Sequence, residues 1–264
     1  MTEKTENFVY GINPVHTALK ASKRKCYKIV VEEGKDHPRV RSVVDLARRM
    51  GVKIEALPRQ AFGQKFRSLP HQGIVGYFAV KETLELPELI EQAYRSDPQP
   101  TLVLLDEIQD PHNLGAIIRS AEVLGVQGVI IPKHRSVPLN ETVAKCSAGA
   151  VETVPIAWTT NLAQAAETLK KSRFWIVGVD MQGATSCHRF DFNMPVALVI
   201  GGEHKGIRQG LKKICDFTVS IPMAGTLGSL NASAAGAVVF YEILRQKRER
   251  GQMRSETGAG TPEK

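Results

Sequence analysis

The 264-residue sequence predicts an α/β protein in two units: a small basic α/β unit, then a larger one built on a parallel sheet. Three observations carry that expectation. From Thr101 onward, short apolar runs rich in β-branched residues alternate with helical segments, the pattern of a parallel sheet covered on both faces. Residues 6–82 hold 15 Lys+Arg against 7 Asp+Glu, whereas residues 83–264 hold 19 of each, so the basic excess lies in the first third of the chain. Between the two, Leu84 to Pro100 carries Pro87, Pro98 and Pro100, which reads as a linker with room for one short helix.

Taken in order, CYKIVVEE (26–33), VKIEAL (52–57) and GIVGYFAV (73–80) have strand composition. Pro38 to Met50 places Val40, Val43, Val44, Leu46 and Ala47 at helical spacing and stops at Gly51. Later strands are expected at 101–108, 128–132, 151–157, 174–180, 196–202 and 217–222. Helices are expected at Leu114–Leu124, Leu139–Cys146, Leu162–Lys171, Ile207–Ile214 and Asn231–Arg248. The predicted organisation is therefore 6–82, a linker at 83–99, a main unit at 100–248 and a disordered polar tail at 249–264.

Composition removes several classes. Hydrophobic residues make up 42% and charged residues 23%, enough to bury a core, which excludes a wholly disordered chain. No apolar run nears the roughly 18 residues of a membrane helix, and the polar start argues against a secretory signal. Cys26, Cys146, Cys187 and Cys215 form no C-x-x-C pair, so no metal site is expected and the thiols fit a reducing cytoplasm. A sign asymmetry of this kind suggests a polyanion-facing unit joined to a neutral one. Lys20, Lys23, Arg24, Lys25 and Lys28, with Arg39, Arg41, Arg48 and Arg49, are either its footprint or ordinary solvated faces.

In an open parallel sheet, ligands bind beyond the carboxyl ends of the strands. Three such ends stand out. In LDEIQDPHNLGAIIRSAEVLGV (105–126), Asn113 is a candidate N-cap, and Arg119 in an apolar helix needs either an anion or a structural ion pair. In VALVIGGEHKGI (196–207), Gly201 and Gly202 permit close backbone approach to a ligand or simply make a turn, and Glu203 stands at the strand end. In 219–246, Ser229 and Asn231 precede a helix they could cap, after Gly225 and Gly228. G-x-G-x-x-G, G-x-x-x-x-G-K-[ST] and G-x-S-x-G are all missing, which excludes the standard dinucleotide, P-loop and serine-hydrolase sites.

Taken together, N-L-G-A-x-x-R-S-A (113–121), G-x-E-x-x-G-I (201–207) and S-I-P-M-x-G-x-x-x-S-L-N-x-S (220–233) resemble the three signature motifs of the SpoU (TrmH-type, SPOUT superfamily) RNA 2′-O-methyltransferases. YGINPVHTALKA (10–21) and HQGIVGYFA (71–79) are similar to the N-terminal domain of one subgroup, the bacterial 23S rRNA guanosine-2′-O-methyltransferases. The likeness covers roughly 8–247, and it departs at His204, where the family often carries a small residue.

The resemblance implies a catalytic sheet whose C-terminal segment forms a deep trefoil knot, preceded by a ribosomal-protein-like (L30e-like) RNA-binding domain. It implies S-adenosylmethionine as cofactor, held by positions matching Gly178, Gly201, Gly202, Ile221 and Leu230. Asn113, Arg119, Glu203, Ser229 and Asn231 match the residues around methyl transfer, with Arg119 steadying the phosphate beside the target ribose. It further implies a homodimer in which that arginine reaches the partner's site, with Val238, Val239, Phe240, Ile243 and Leu244 as an apolar surface that could serve the dimer or pack on its own sheet. The expected activity is 2′-O-methylation of a guanosine in 23S rRNA. The alternatives are a tRNA 2′-O-methyltransferase, a resistance-type enzyme acting on an rRNA adenosine, and an RNA-binding module without catalysis.

Overall fold

The computed structural model describes residues 7–34, 37–67, 69–203, 205–226 and 228–251. The expected tail beyond 251 and His204 lie outside the described residues.

The first unit comprises β1 (Asn7–Tyr10), α1 (Ile12–Ala21), β2 (Cys26–Glu32), α2 (Pro38–Arg49), β3 (Lys53–Leu57), α3 (Arg59–Lys65) and β4 (Ile74–Phe78). Its sheet runs β1-β4-β2-β3, with β2 and β3 parallel and β4 antiparallel to both neighbours. α2 starts where the His37 side chain accepts from the Arg39 amide and Pro38 fills the first turn. Val40, Val43 and Ala47 form its buried stripe, as the spacing predicts.

The second unit comprises α4 (Leu86–Ser96), β5 (Thr101–Asp106), α5 (Pro111–Val123), β6 (Gly128–Pro132), α6 (Glu141–Cys146), β7 (Ile156–Thr159), α7 (Leu162–Lys171), β8 (Trp175–Val179), β9 (Thr185–Ser186), β10 (Val196–Gly201), α8 (Gln209–Lys212), β11 (Phe217–Ser220) and α9 (Ala232–Glu249). All seven strands are parallel, in the order β7-β6-β5-β10-β8-β11-β9. Chain direction across the sheet reverses between β5 and β10, which opens a crevice at their carboxyl ends. β5 and β6 are buried throughout and β10 nearly so, as expected for strands covered on both faces.

Several boundaries differ from expectation. The stretch read as a linker contains α4, an 11-residue helix with a capping box between Glu85 and Glu88. Leu89, Ile90 and Ala93 bury it in the core of the second unit, so packing overrides the proline punctuation. The strand expected at 151–157 begins only at Ile156; Ala150–Glu152 form a single 3-10 turn because Gly149 reverses the chain at φ 92°. The helix expected at Ile207–Ile214 is shorter, at Gln209–Lys212. In α9, Val239, Phe240, Ile243 and Leu244 are buried within the chain itself, and of the expected apolar surface only Val238 stays exposed.

The 3-10 turn meets the first unit. The Arg24 guanidinium pairs with Glu152 at 2.6 Å and donates to the Ala79 carbonyl at 3.0 Å. Lys23 donates to the Thr153 carbonyl at 2.7 Å, and Lys81 to those of Val151 and Val154. Two cations of the expected footprint are therefore engaged at this seam, Arg24 buried in it and Lys23 at its exposed edge. No helix among the described residues is long and apolar enough to cross a membrane.

Candidate active site

The carboxyl ends of β5, β8 and β10 and the segment after β11 converge on two adjoining cavities. The first, about 350 Å3, is lined by Val179, Ile200, Ile207, Ile221 and Leu230, with Asp180, Glu203, Lys205, Lys212 and Ser229 as polar groups. The second, about 400 Å3, lies between the turn after β5 and the start of α5, against Glu107, Asp110, Asn113, Glu203 and Lys205. The 202–206 turn walls both.

That turn is pinned on each side. Gly202 donates to the Asp106 carbonyl, and Gly206 to that of Gly202, both at 2.9 Å. Asp106 is fully buried, and its carboxylate accepts from the Arg208 amide at 2.9 Å and from its guanidinium at 2.7 and 2.8 Å. A Cβ on Gly201 would lie 2.1 Å from the Gly206 carbonyl carbon, and one on Gly202 2.6 Å from the Glu107 oxygen. Both glycines border the cavity, but the close approach that requires them is of the chain to itself.

Three of the candidate residues meet at the rim. The Asn231 side-chain oxygen caps α9, accepting from the amides of Ser233 at 2.9 Å and Ala234 at 3.3 Å. This fixes the orientation of its amide group, whose nitrogen donates to Glu203 Oε1 at 2.6 Å and to Asn113 Oδ1 at 2.8 Å. Asn113, nearly buried, donates to the same Glu203 oxygen. One residue from each motif thus joins a closed ring. Asp110, rather than Asn113, caps α5, accepting from the His112 amide at 2.8 Å.

The other candidates fall elsewhere. Ser229, Leu230 and Ile221 line the first cavity, and Leu230 is 40% exposed at its edge. Gly178 lies inside β8 outside the lining; a Cβ there would meet Ile207 Cδ1 at 3.1 Å and Cys215 Sγ at 3.2 Å. Arg119 is exposed on α5 with no ion pair among the described residues, so of its two expected partners the structural ion pair is not formed there and the anion is left. It stands six residues beyond Asn113, off the face that meets Glu203.

Sequence reasoning passed over Asp180, at the carboxyl end of β8, and Lys212, paired with it at 2.9 Å. Burial pushes the Asp180 carboxyl up, but hydrogen bonds from Lys212 and the Gln182 amide outweigh that and hold its pKa below the ordinary value. The strand-end rule that found Glu203 points equally to Asp180. No group of three metal-ligating side chains occurs among the described residues.

A parallel sheet with a ligand cavity at its switch point thus lies beside a unit of strong positive charge, the arrangement of a ligand-binding α/β domain joined to a polyanion-facing one. Residues 100–241 match the SpoU rRNA methylase family, and residues 8–84 match the RNA 2′-O ribose methyltransferase substrate-binding family. The chain is 42% identical over 246 residues to YacO of Bacillus subtilis, whose name places it in the TrmH family of tRNA/rRNA methyltransferases; the alignment covers 93% of this chain and 98% of that one. The structure of the SpoU methyltransferase AviRb from Streptomyces viridochromogenes superposes with a TM-score of 0.77 at 25% identity, covering 93% of this chain and 91% of that one. An AdoMet-bound rRNA methyltransferase from Sinorhizobium meliloti gives 0.75 at 25% identity, covering 92% and 88%. The chain belongs to the SpoU family of RNA methyltransferases.

Proposed function

We propose that this chain transfers the methyl group of S-adenosylmethionine to the ribose 2′-hydroxyl of a guanosine in 23S rRNA. The observation that carries the reading is the Asn113–Glu203–Asn231 ring at the rim of the apolar cavity, which joins all three motifs at the switch point. The likeness to an rRNA methyltransferase extends through the first unit as well as the second, which favours rRNA as substrate. The name of the Bacillus relative covers tRNA as well as rRNA, which keeps tRNA as the second reading.

The cavity suits the cofactor. Ile221, Leu230, Val179 and Ile207 offer an apolar slot for a nucleoside, and Asp180, Glu203, Lys205 and Lys212 offer both charge signs for an amino acid. When bound, S-adenosylmethionine supplies an electrophilic methyl on a sulfonium. Asn113 and Asn231 hold Glu203 in one orientation at the rim, where it and Ser229 set the geometry of the reacting ribose. Arg119 pairs with the phosphate next to that ribose, and the phosphate oxygens can take the hydroxyl proton; a guanidinium has no lone pair free to accept one and serves as a charge partner.

Arg119 points away from the Asn113 ring of its own chain, which supports a homodimer in which it enters the partner's site. Val238 at 40% and Tyr241 at 58% exposure on α9, with Val123 at 68% on α5, leave apolar surface for that contact. The knotted C-terminal segment is part of the reading through the resemblance to the SpoU motifs, and β9 and β11 pack closely within it, where a Cβ on Gly183 would lie 2.2 Å from the Val219 carbonyl carbon. The proposed organisation is an L30e-like RNA-binding domain to about residue 82, with α4 belonging to the catalytic domain, in a cytoplasmic enzyme.

Methyl transfer from labelled S-adenosylmethionine to unmodified 23S rRNA, with tRNA alongside and Arg119→Ala as control, tests the reading. Label on a 23S guanosine ribose, lost in the variant, is expected. Label on tRNA alone overturns the substrate, and no label on either RNA overturns the catalytic reading.

A further inference from the structure

Three groups stand out among the cations of the first unit. Lys23, Arg24 and Lys81 are spent at the seam. Arg48 and Arg49 lie near the end of α2, where Arg48 pairs with Asp45 at 3.3 Å. The third group gathers on the sheet face that carries α3. Side chains alternate there with period two, and Phe62 of α3 and Phe66 just beyond it cover Tyr10, Val30 and Val75. The next row projects beyond that cover. Register sets Phe8 opposite Tyr77, Tyr77 opposite Lys28, and Lys28 opposite Lys53, one line through all four strands.

This row pairs two half-exposed rings with two ammonium groups. The Phe8 and Tyr77 rings are 6.4 Å apart, and the Lys28 and Lys65 ammoniums stand 4.8 and 6.0 Å over Tyr77. Glu55 bonds Lys28 at 3.0 Å; that bond, with the charges of Lys28, Lys65 and Lys53, holds its pKa below the ordinary value. Lys53 and Lys65 have no carboxylate of their own within ion-pair distance among the described residues. Glu55 offsets part of the repulsion between Lys28 and Lys53, and one carboxylate among Lys28, Lys53 and Lys65 leaves the face positive. Arg59, Gln60, Gln64 and Arg67 line a shallow groove on the outer side of α3. At the other end Lys145 of α6 stands 5.8 Å over Tyr10, and the last residue of that helix, Cys146, touches His112 beside Asn113 at 3.2 Å.

We propose that the Phe8–Tyr77–Lys28–Lys53 row, extended by Lys65 and the Arg59–Arg67 groove, is the surface on which the first unit holds RNA. Phosphates lie against the lysines and the groove, an unpaired base stacks on the Phe8–Tyr77 pair, and Lys145 carries the strand toward the ring at Glu203. The proposal rests on the RNA-methyltransferase reading above and names the face it uses.

The test is binding of the full chain to unmodified 23S rRNA transcript across a salt series, repeated with tRNA. Lys53→Gln with Lys65→Gln should weaken binding and reduce the slope of log Kd against log salt by about 1–2. Tyr77→Leu should weaken binding by about five- to hundredfold with little change in salt slope, the signature of lost stacking. Arg48→Gln with Arg49→Gln removes equal charge from α2 and should leave Kd within about twofold, on the logic that charge far from a contact is screened. Thermal midpoints establish that every variant folds, and Tyr77→Phe, which keeps the ring, should bind like the parent if Tyr77→Leu fails through lost stacking. Loss of binding in the α2 variant with the row variants unaffected overturns the proposal while leaving the methyltransferase reading intact. Failure of the parent chain to bind either RNA overturns both.

Discussion

Glu152→Ala tests whether the two units are held together by charge. The Glu152 side chain is 3% exposed, and the Arg24 side chain that meets it at 2.6 Å is 8% exposed. Removing the carboxylate leaves a buried guanidinium whose remaining partners are the Ala79 carbonyl and the Phe78 ring, 4.9 Å below it. Stranding one half of a buried ion pair costs about 3–5 kcal/mol. At about 2 °C per kcal/mol for a chain of this length, the thermal midpoint should fall by about 6–10 °C. Arg24→Met, which strands the carboxylate instead, should cost a similar amount. Arg24→Met with Glu152→Leu removes both charges at similar volume and should recover most of the loss, since replacing a buried pair by apolar groups is close to neutral. Urea unfolding followed by two probes separates the units. Both tryptophans, Trp158 and Trp175, lie in the second unit, whereas far-UV circular dichroism reports on both units. In Glu152→Ala the two transitions should diverge as docking weakens. A double variant whose loss equals the sum of the singles, with coincident transitions, would refute the argument and leave apolar contact alone holding the seam.

Asn231→Asp keeps an oxygen to cap α9 but sets a second carboxylate against Glu203 and the Asn113 oxygen, so kcat should collapse and the melting temperature should fall as well; Asn231→Ala should lose activity and about 1 kcal/mol of stability. Gly201→Ala drives a methyl into the Gly206 backbone and should abolish cofactor binding by calorimetry, whereas Gly178→Ala meets the movable Ile207 side chain at 3.1 Å and should retain most of it. Burial lowers the Lys81 pKa from 10.5 to about 8. Between those values the unfolded chain binds more protons, so Lys81 makes stability rise with pH there, by at most about 3 kcal/mol from below pH 8 to above 10.5, and Lys81→Met should flatten that rise in urea titrations.

The large parallel sheet was legible because β5, β6 and β10 are apolar on both faces, a pattern that few other environments produce. The three motif loops were legible as strand ends followed by helix caps, and Asn113, Glu203 and Asn231 do come together. What the sequence hid depends on long-range partners. Val151 and Val154 are apolar because they pack at the seam, and no local pattern separates that from a strand. Arg24 and Lys23 count as cations in any composition, but only the fold reveals that carbonyls and Glu152 consume them. The row from Phe8 to Lys53 joins four strands from opposite ends of the first unit, and it exists only once register is fixed.

The 202–206 turn is a partition with a pocket on either side. A partition has one position at a time. A ligand on one side that shifted the turn would alter the pocket on the other, and linkage would make any such coupling equal in both directions. With Asp106 and Arg208 anchoring its base and the two asparagines holding its carboxylate, the turn is one wall common to both pockets, so its position is shared by whatever occupies either.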